Sequence, residues 1–349
     1  YTTPANMTPT RSNQGSQTNG GTLDSDGSIT GMDLTRAMES FTIGDVTTLP
    51  TGENGTGDNG TTATGTFPDN QTDETHDQGF ALLDYGDLPE SGNGDDFSTT
   101  MTKGGAVHVI TPGFKLGASV DGERDGTPSA DASGDGADED GVTFTSPLIP
   151  GNNATISVVS MNPFTSAVLQ GWIDWDNNGQ LDAGEELTLS NSGSIATGNQ
   201  TTSFSFPVPS GAIFNDGMVF ARFRLSELGD LDANGPDKYG TNPVPQGEVE
   251  DYKVNVGKIG NLVFEDRNFN GEQDSGEPGI NGVTVSLIWA GPNGTIGTGG
   301  DDVTYTSLTT GTGFDQGEYY FCGLTPGTYK IMYTTPANMT PTRSNQGSQ

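Results

Sequence analysis

Alternation of apolar and polar positions with period two is the dominant pattern along the chain. It runs through ATISVVS (154–160), SFSFPV (203–208), MVFARFRL (218–225), GVTVSLIW (282–289) and YYFCGL (319–324). Successive side chains of a strand point to opposite faces, so each run predicts a strand with one face in a core. Phe204, Phe206 and Val208 form one such face, and Val219, Ala221, Phe223 and Leu225 another. Clusters of Gly, Pro and Asn separate the runs and supply turns. The competing pattern is MDLTRAMESF (32–41), where Leu34, Ala37, Met38 and Phe41 fit a helical stripe. It is short, and predicts a turn of helix or a loop leading into SFTIG (40–44). The fold class expected is all-β, with β-sandwich modules in tandem.

The first seventeen residues, Tyr1–Gln17, recur unchanged as the last seventeen, Tyr333–Gln349. A shared fold would not preserve every polar loop residue, so the sequence reads as one period of a tandem repeat plus an overlap, with residue 18 following residue 349. In that circular order residues 1–46 are the C-terminal part of a preceding domain, and residues 47–79 are a linker. Residues 80–257 form one domain and residues 258–349 another, completed by the equivalent of 18–46 in the next repeat. The segment TGENGTGDNGTTATGTFPDNQTDETHDQ (51–78) has no apolar periodicity and cannot bury enough surface to offset its ordering entropy. At the other junction DYKVNVG runs into KIGNLVF without a spacer, which predicts a short, stiff joint.

Composition sharpens this picture. The 349 residues suffice for two or three domains with cores of their own, and 53 Gly and 20 Pro against 30% apolar residues favour short strands and many turns. A formal charge of -33 repels nucleic acid and anionic lipid, and no apolar run is long enough to insert this segment into a membrane. One cysteine, Cys322, excludes a disulfide framework within the chain. Some other staple is needed, and the acidity points to a divalent cation.

The spacing of the carboxylates supports that. In DRNFNGEQDSGE, Asp266, Asn268, Asn270, Gly271, Asp274 and Glu277 stand at positions 1, 3, 5, 6, 9 and 12, with Glu272 offering a carbonyl at position 7. In DWDNNGQLDAGE the same places hold Asp174, Asp176, Asn178, Gly179, Asp182 and Glu185, with Gln180 at position 7. This is the spacing that converges six to eight hard oxygens on Ca2+. A metal-free polar hairpin turn is the alternative. No helical pattern flanks either loop, so they read as calcium loops between strands, structural rather than sensory. A third cluster, LDSDGSITGMD, offers Asp24, Asp26, Ser28 and Asp33 at less complete spacing.

Two resemblances attach to these residues. IGNLVFEDRNFNGEQDSGEPGINGVTVSL (259–287), GEYYFCGLTPGTYKI (317–331) and LDSDGSI (23–29) resemble the B-type repeat of the serine-aspartate-repeat surface adhesins. That resemblance implies an immunoglobulin-like sandwich whose calcium sites rigidify a stalk, with Asp266 to Glu277 as its first loop. DYGDLPESG (84–92), LGASVDGERDGTPSA (116–130), GADEDGVTF (136–144), GWIDWDNNGQLDAGE (171–185), ARFRLS (221–226) and GEVEDY (247–252) resemble the domain named for its Gly-Glu-Val-Glu-Asp motif. It implies an extracellular β-module of large secreted bacterial proteins, without assigned catalysis. No serine-aspartate tract or wall anchor accompanies them in this sequence.

Sequons stand at Asn6, repeated as Asn338, and at Asn54, Asn59, Asn70, Asn153, Asn199 and Asn293. Three fall in the linker, which suggests covalent glycans that shield and extend it. Catalytic constellations are absent from the pattern: His76 and His108 have no partner at a useful spacing, and the carboxylate pairs a glycosidase would need have calcium or turn explanations. Trp172, Trp175 and Trp289 offer either core packing or a sugar platform. The sequence reading is thus a non-enzymatic structural repeat of an extracellular, calcium-stabilised, glycosylated bacterial filament, stalk or sheath, whose partners are neighbouring copies of the same repeat. The rival reading is an adhesin that holds a host protein or carbohydrate through exposed loops.

Overall fold

The computed structural model describes residues 7–9, 28–29, 37–38, 80–90, 97–134, 136, 138–214, 217–227, 229–235, 245–305, 308–312 and 315–342, with the backbone alone at 7–9, 28–29, 37–38, 80 and 308–309. It is all-β. In chain order the strands are β1 (Met7–Pro9), β2 (Ser28–Ile29), β3 (Ala37–Met38), β4 (Phe80–Tyr85), β5 (Val107–Val109), β6 (Lys115–Leu116), β7 (Val142–Phe144), β8 (Asn153–Asn162), β9 (Ala167–Ile173) and β10 (Ser194–Ile195). There follow β11 (Gly198–Pro207), β12 (Met218–Ser226), β13 (Gly247–Asn255), β14 (Gly257–Leu262), β15 (Thr284–Trp289), β16 (Val303–Thr304), β17 (Leu308–Thr309), β18 (Glu318–Leu324) and β19 (Tyr329–Tyr333). Each of the five alternating runs of the sequence contributes to a strand.

The first module is a sandwich of two antiparallel sheets, β10-β9-β12-β13 and β11-β8-β6, with β7 also on β8. β8 and β11 pair over ten residues, from Asn153↔Pro207 to Asn162↔Gly198. Their alternation puts Ala154, Ile156, Val158, Phe204 and Phe206 in the core, facing Leu169, Ile173, Val219, Ala221, Phe223 and Leu225 of the opposite sheet. The other face of β12 is buried as well. Phe220 packs there with Leu88, Phe97, Trp172 and Leu231, and beside it lie Arg222 and Arg224, both 0% exposed. Strict alternation had predicted a solvent face at these positions. A third sheet, β1-β4-β5, and the loops around Phe97 and Leu231 cover it instead.

The second module builds its core from Val283, Val285, Leu287, Trp289, Tyr305, Tyr319, Phe321 and Leu324, carried by β15, β18 and their connections. β14 pairs with β18, while β15 is flanked by β19, β16 and β17. Val256 alone separates β13 from β14. The modules also interlock: Ile149 belongs to the core of the second, and the Leu148 N–H donates to the Gly323 carbonyl at 2.7 Å. Gly323 has φ +75°, and a Cβ there would meet the Leu148 carbonyl, so only glycine permits the contact.

β2 and β3 pair with each other. Ala37–Met38 is therefore strand, where a turn of helix was one of the two expectations; a four-residue stripe is too short to offset the cost of helix nucleation. SFTIG, the linker 47–79 and His76 lie outside the described residues.

Candidate metal centres

The two carboxylate loops, identical at positions 1, 5, 6, 9, 11 and 12, fold alike. In the first, the backbone N–H groups of Asn178 and Gly179 donate to the two carboxylate oxygens of Asp174, each at 3.0 Å. In the second, those of Asn270 and Gly271 donate to Asp266 at 3.2 and 2.9 Å. The last glutamate clamps each loop: Glu185 accepts from the amides of Trp175 (2.6 Å) and Asp182 (3.0 Å), and Glu277 from those of Arg267 (2.7 Å) and Asp274 (2.9 Å). The amides of Gln180 and Glu272 bond the side-chain oxygens of Asn178 and Asn270. Even the strained positions coincide, with positive φ at Asn177 (55°) and Phe269 (61°) and at Gly179 (83°) and Gly271 (84°). A polar turn needs only one or two of these bonds; here the first and last carboxylates of each loop both accept from loop amides.

The loops differ in charge and burial. Ligand atoms of Asp174, Asp176 and Glu185 all lie within 4.8 Å of one another, and Asp174 and Glu185 are buried. Burial first, and the neighbouring Asp174 charge second, push the Glu185 carboxyl up to about 7 although backbone amides oppose the shift; burial also raises Asp174. A cation placed among these carboxylates would replace their repulsion with attraction. In the second loop Asn268 stands where Asp176 stands in the first, so fewer charges converge. Desolvation of Asp266 is outweighed there by hydrogen bonds from the Thr342 side chain and the loop amides, which hold its carboxyl below the usual range. Of the third predicted cluster, Asp24, Asp26 and Asp33 lie outside the described residues, and Ser28 is described only as part of β2.

A further convergence, Asp121, Glu123 and Asp138, has no loop spacing. Burial pushes Asp138 up to about 6. It adjoins the element that sequence reasoning understood least, the Gly-Glu-Val-Glu-Asp strand itself. On β13, Glu248 and Glu250 point one way and Asp251 the other, and all three are buried. Glu248 accepts from the Leu116 amide, and Glu250 from the amides of Gly141 (2.8 Å) and Asp140 (3.2 Å) and from the Tyr252 hydroxyl (2.9 Å). On the opposite face Arg222, cross-strand from Asp251, forms a two-pronged ion pair with it at 2.7 and 2.8 Å. Asp251 also accepts from the amides of Asp87 (2.7 Å) and Leu88 (3.0 Å), and the Val249 amide donates to Asp84 at 2.6 Å. Next to them Arg224 donates to Nε2 of the buried His108 at 2.9 Å. Burial and the Arg224 charge hold His108 well below its ordinary value, so the ring is a neutral acceptor. The motif's acids thus tie down loops that lie more than a hundred residues away in sequence.

This network predicts a pH dependence. Burial pushes Glu250 from 4.5 to about 8, so the folded chain keeps a proton there that the unfolded chain has lost. Its contribution to stability is complete below 4.5 and is lost as pH rises through about 8. In calcium-free buffer, Glu250→Gln should flatten the fall in unfolding temperature between pH 5 and 8 that the parent chain shows by scanning calorimetry; an unchanged slope would contradict the assignment.

The remaining candidates sort plainly. Trp172, Trp175 and Trp289 are all buried, which favours core packing over a sugar platform. Cys322 is a free, half-buried thiol, raised by desolvation. Asn153, Asn199, Asn293 and Asn338 are exposed, but the Asn293 amide nitrogen is engaged by the Thr298 carbonyl at 2.8 Å and by Asp301 at 2.5 Å. Asn6, Asn54, Asn59 and Asn70 lie outside the described residues. Among the described residues no helix is long and apolar enough to cross a membrane.

The class of module follows. Residues 168–255 match the family model of the GEVED domain and residues 257–349 that of the SdrD B-like domain, so the chain carries the one directly followed by the other. In the relatives, 97 residues are 41% identical to serine-aspartate repeat-containing protein D of Staphylococcus aureus strain Newman, covering 28% of this chain and 6% of that protein. Ninety residues are 38% identical to serine-aspartate repeat-containing protein C of strain N315, covering 26% of this chain and 8% of that protein. The chain spans less than a tenth of the length of these relatives.

Proposed function

We propose that the chain is a structural repeat unit of an extracellular, calcium-stabilised and glycosylated filament, stalk or sheath at a bacterial cell surface, with a mechanical rather than catalytic role. The observation that carries this reading is the pair of matching carboxylate cages, one in each module. Each would hold Ca2+ through its four side chains at positions 1, 3, 5 and 12, the carbonyl at position 7 and position 9 directly or through water. With bound ions, loops of a Gly-rich chain without disulfides become rigid, and the direct β13–β14 connection passes that rigidity to the next module. The relatives, proteins named for their serine-aspartate repeats, support a surface location and leave an adhesive role as the second reading. Exposed asparagines at Asn153, Asn199 and Asn338 supply places for glycans.

Electron microscopy of the assembled material in millimolar calcium and after exhaustive chelation tests the proposal. Straight, uniform fibres that lose stiffness or come apart on chelation are the expected result. Saturable binding of a protein or glycan without end-to-end assembly would favour the adhesin.

A further inference from the structure

The duplicated seventeen residues meet the fold at one place. Within the chain, β1 adds antiparallel to β4, with Met7 opposite Leu82, Thr8 opposite Ala81 and Pro9 opposite Phe80. β4 has β5 on its other side, so β1 is the edge strand of that sheet and without it β4 would be. An edge presents a row of backbone donors and acceptors that any matching strand can satisfy. The same tripeptide recurs as Met339–Pro341. There it belongs to no strand: residues 337–341 are exposed, Met339 is 45% exposed, and the segment leaves the second module after β19. Thr342, just beyond it, is hydrogen-bonded to Asp266 of the second carboxylate loop, which holds the far end of the segment beside that loop.

We propose that Met339–Pro341 of one copy adds to the β4 edge of a second copy, in the register that Met7–Pro9 adopts, so that copies join head to tail through a donated strand. The argument is one of identity. Met7–Pro9 and Met339–Pro341 can make the same backbone pairing with β4, and the first is already seated there, so a strand donated by a second copy takes the place of the acceptor's own β1, as in an exchange of identical elements between protomers. The contact joins two different surfaces, the C-terminal segment of one copy and the β4 edge of the next, and such an interface propagates into an open fibre unless the rotation closes a ring. Covalent continuity and strand donation by a separate chain use the same edge, and Thr342 links it to a carboxylate loop. This inference rests on the filament reading for its purpose, but it fails separately: fibres visible by microscopy without strand donation would sink it and leave that reading standing.

Directly opposed residues on antiparallel strands have Cβ atoms close enough for a disulfide bond. The full chain carrying Cys322→Ser, Ala81→Cys and Thr340→Cys should give, on mild oxidation at rising protein concentration, a ladder of multimers that collapses to monomer under reductant. An excess of synthetic peptide with the sequence of residues 1–17 should shorten the ladder by occupying the edge. The full chain with Cys322→Ser, Ala81→Cys and Thr8→Cys should instead close an internal bridge and stay monomeric. A Thr340→Cys chain that stays monomeric at every concentration overturns the proposal. An equal ladder when Thr340→Cys is combined with the exposed Ser210→Cys in place of Ala81→Cys also overturns it, because that would report random collision.

Discussion

Asp251→Ala should unfold the first module under conditions in which the parent chain is stable. Both partners of the Arg222–Asp251 pair are fully buried. Removing the carboxylate leaves a guanidinium without its counter-charge and strands the amides of Asp87 and Leu88. Losing one member of a buried pair costs about 3–5 kcal/mol, against the roughly 5–15 kcal/mol by which a whole domain is stable. The remaining donors of Arg222 soften the loss only in part, since the carbonyls of Ser98 and Ala233 and the side chain of Asn234 bond Nη1 and leave Nε and Nη2 unmatched. Urea denaturation should show a large drop in midpoint for Asp251→Ala, and a partial recovery when Arg222→Met is added, because the second change removes the stranded charge but not the stranded amides. A drop under about 1 kcal/mol in the single variant would mean that the pair is not the anchor its burial indicates.

The same pair shows where sequence reading stops. The strands were legible because alternation is local: Phe204 and Phe206, or Val219 to Leu225, reveal a core face within eight residues. The carboxylate loops were legible for the same reason, since all their side chains fall within twelve consecutive residues. Arg222 and Arg224 misled because alternation tells that two faces differ, not that both are covered. Their cover comes from β4, β5 and the loop at Phe97, which lie far off in the chain, together with the loop at Leu231 that follows β12. The acids of Gly-Glu-Val-Glu-Asp were recognised as a motif, yet their work could not be inferred: Glu250 reaches the Gly141 amide across 109 positions and Asp251 the Asp87 amide across 164. The Asp121, Glu123 and Asp138 convergence is not legible as a set for the same reason, since Asp138 stands apart from the other two in the chain.

Removal of calcium has the second large expected effect, and the two modules allow it to be read twice in one chain. A ligand that binds only the folded state stabilises by about 2.7 kcal/mol when present at a hundred times its dissociation constant. For a module of about a hundred residues this is roughly 10–20 °C in unfolding temperature, and about half that for the larger first module. Calorimetry in millimolar calcium should therefore show both transitions moved upward relative to chelated protein. Asp174→Asn should abolish the shift of the first transition alone and Asp266→Asn that of the second alone, because each removes the carboxylate at position 1 of one loop. Asp176→Asn is the informative control. Asn268 already occupies that place in the second loop, where its side-chain oxygen accepts from the Asn270 amide at 3.0 Å and its nitrogen donates to Asp274 at 2.7 Å. The exchange thus keeps a fold the chain itself uses while removing one of three convergent charges and leaving those of Asp174 and Glu185. The metal-free first module should be no less stable for it and its calcium shift should shrink, two changes that no purely structural role for Asp176 would produce together. Transitions that stay in place between millimolar calcium and chelator would remove the basis for assigning either loop to a metal.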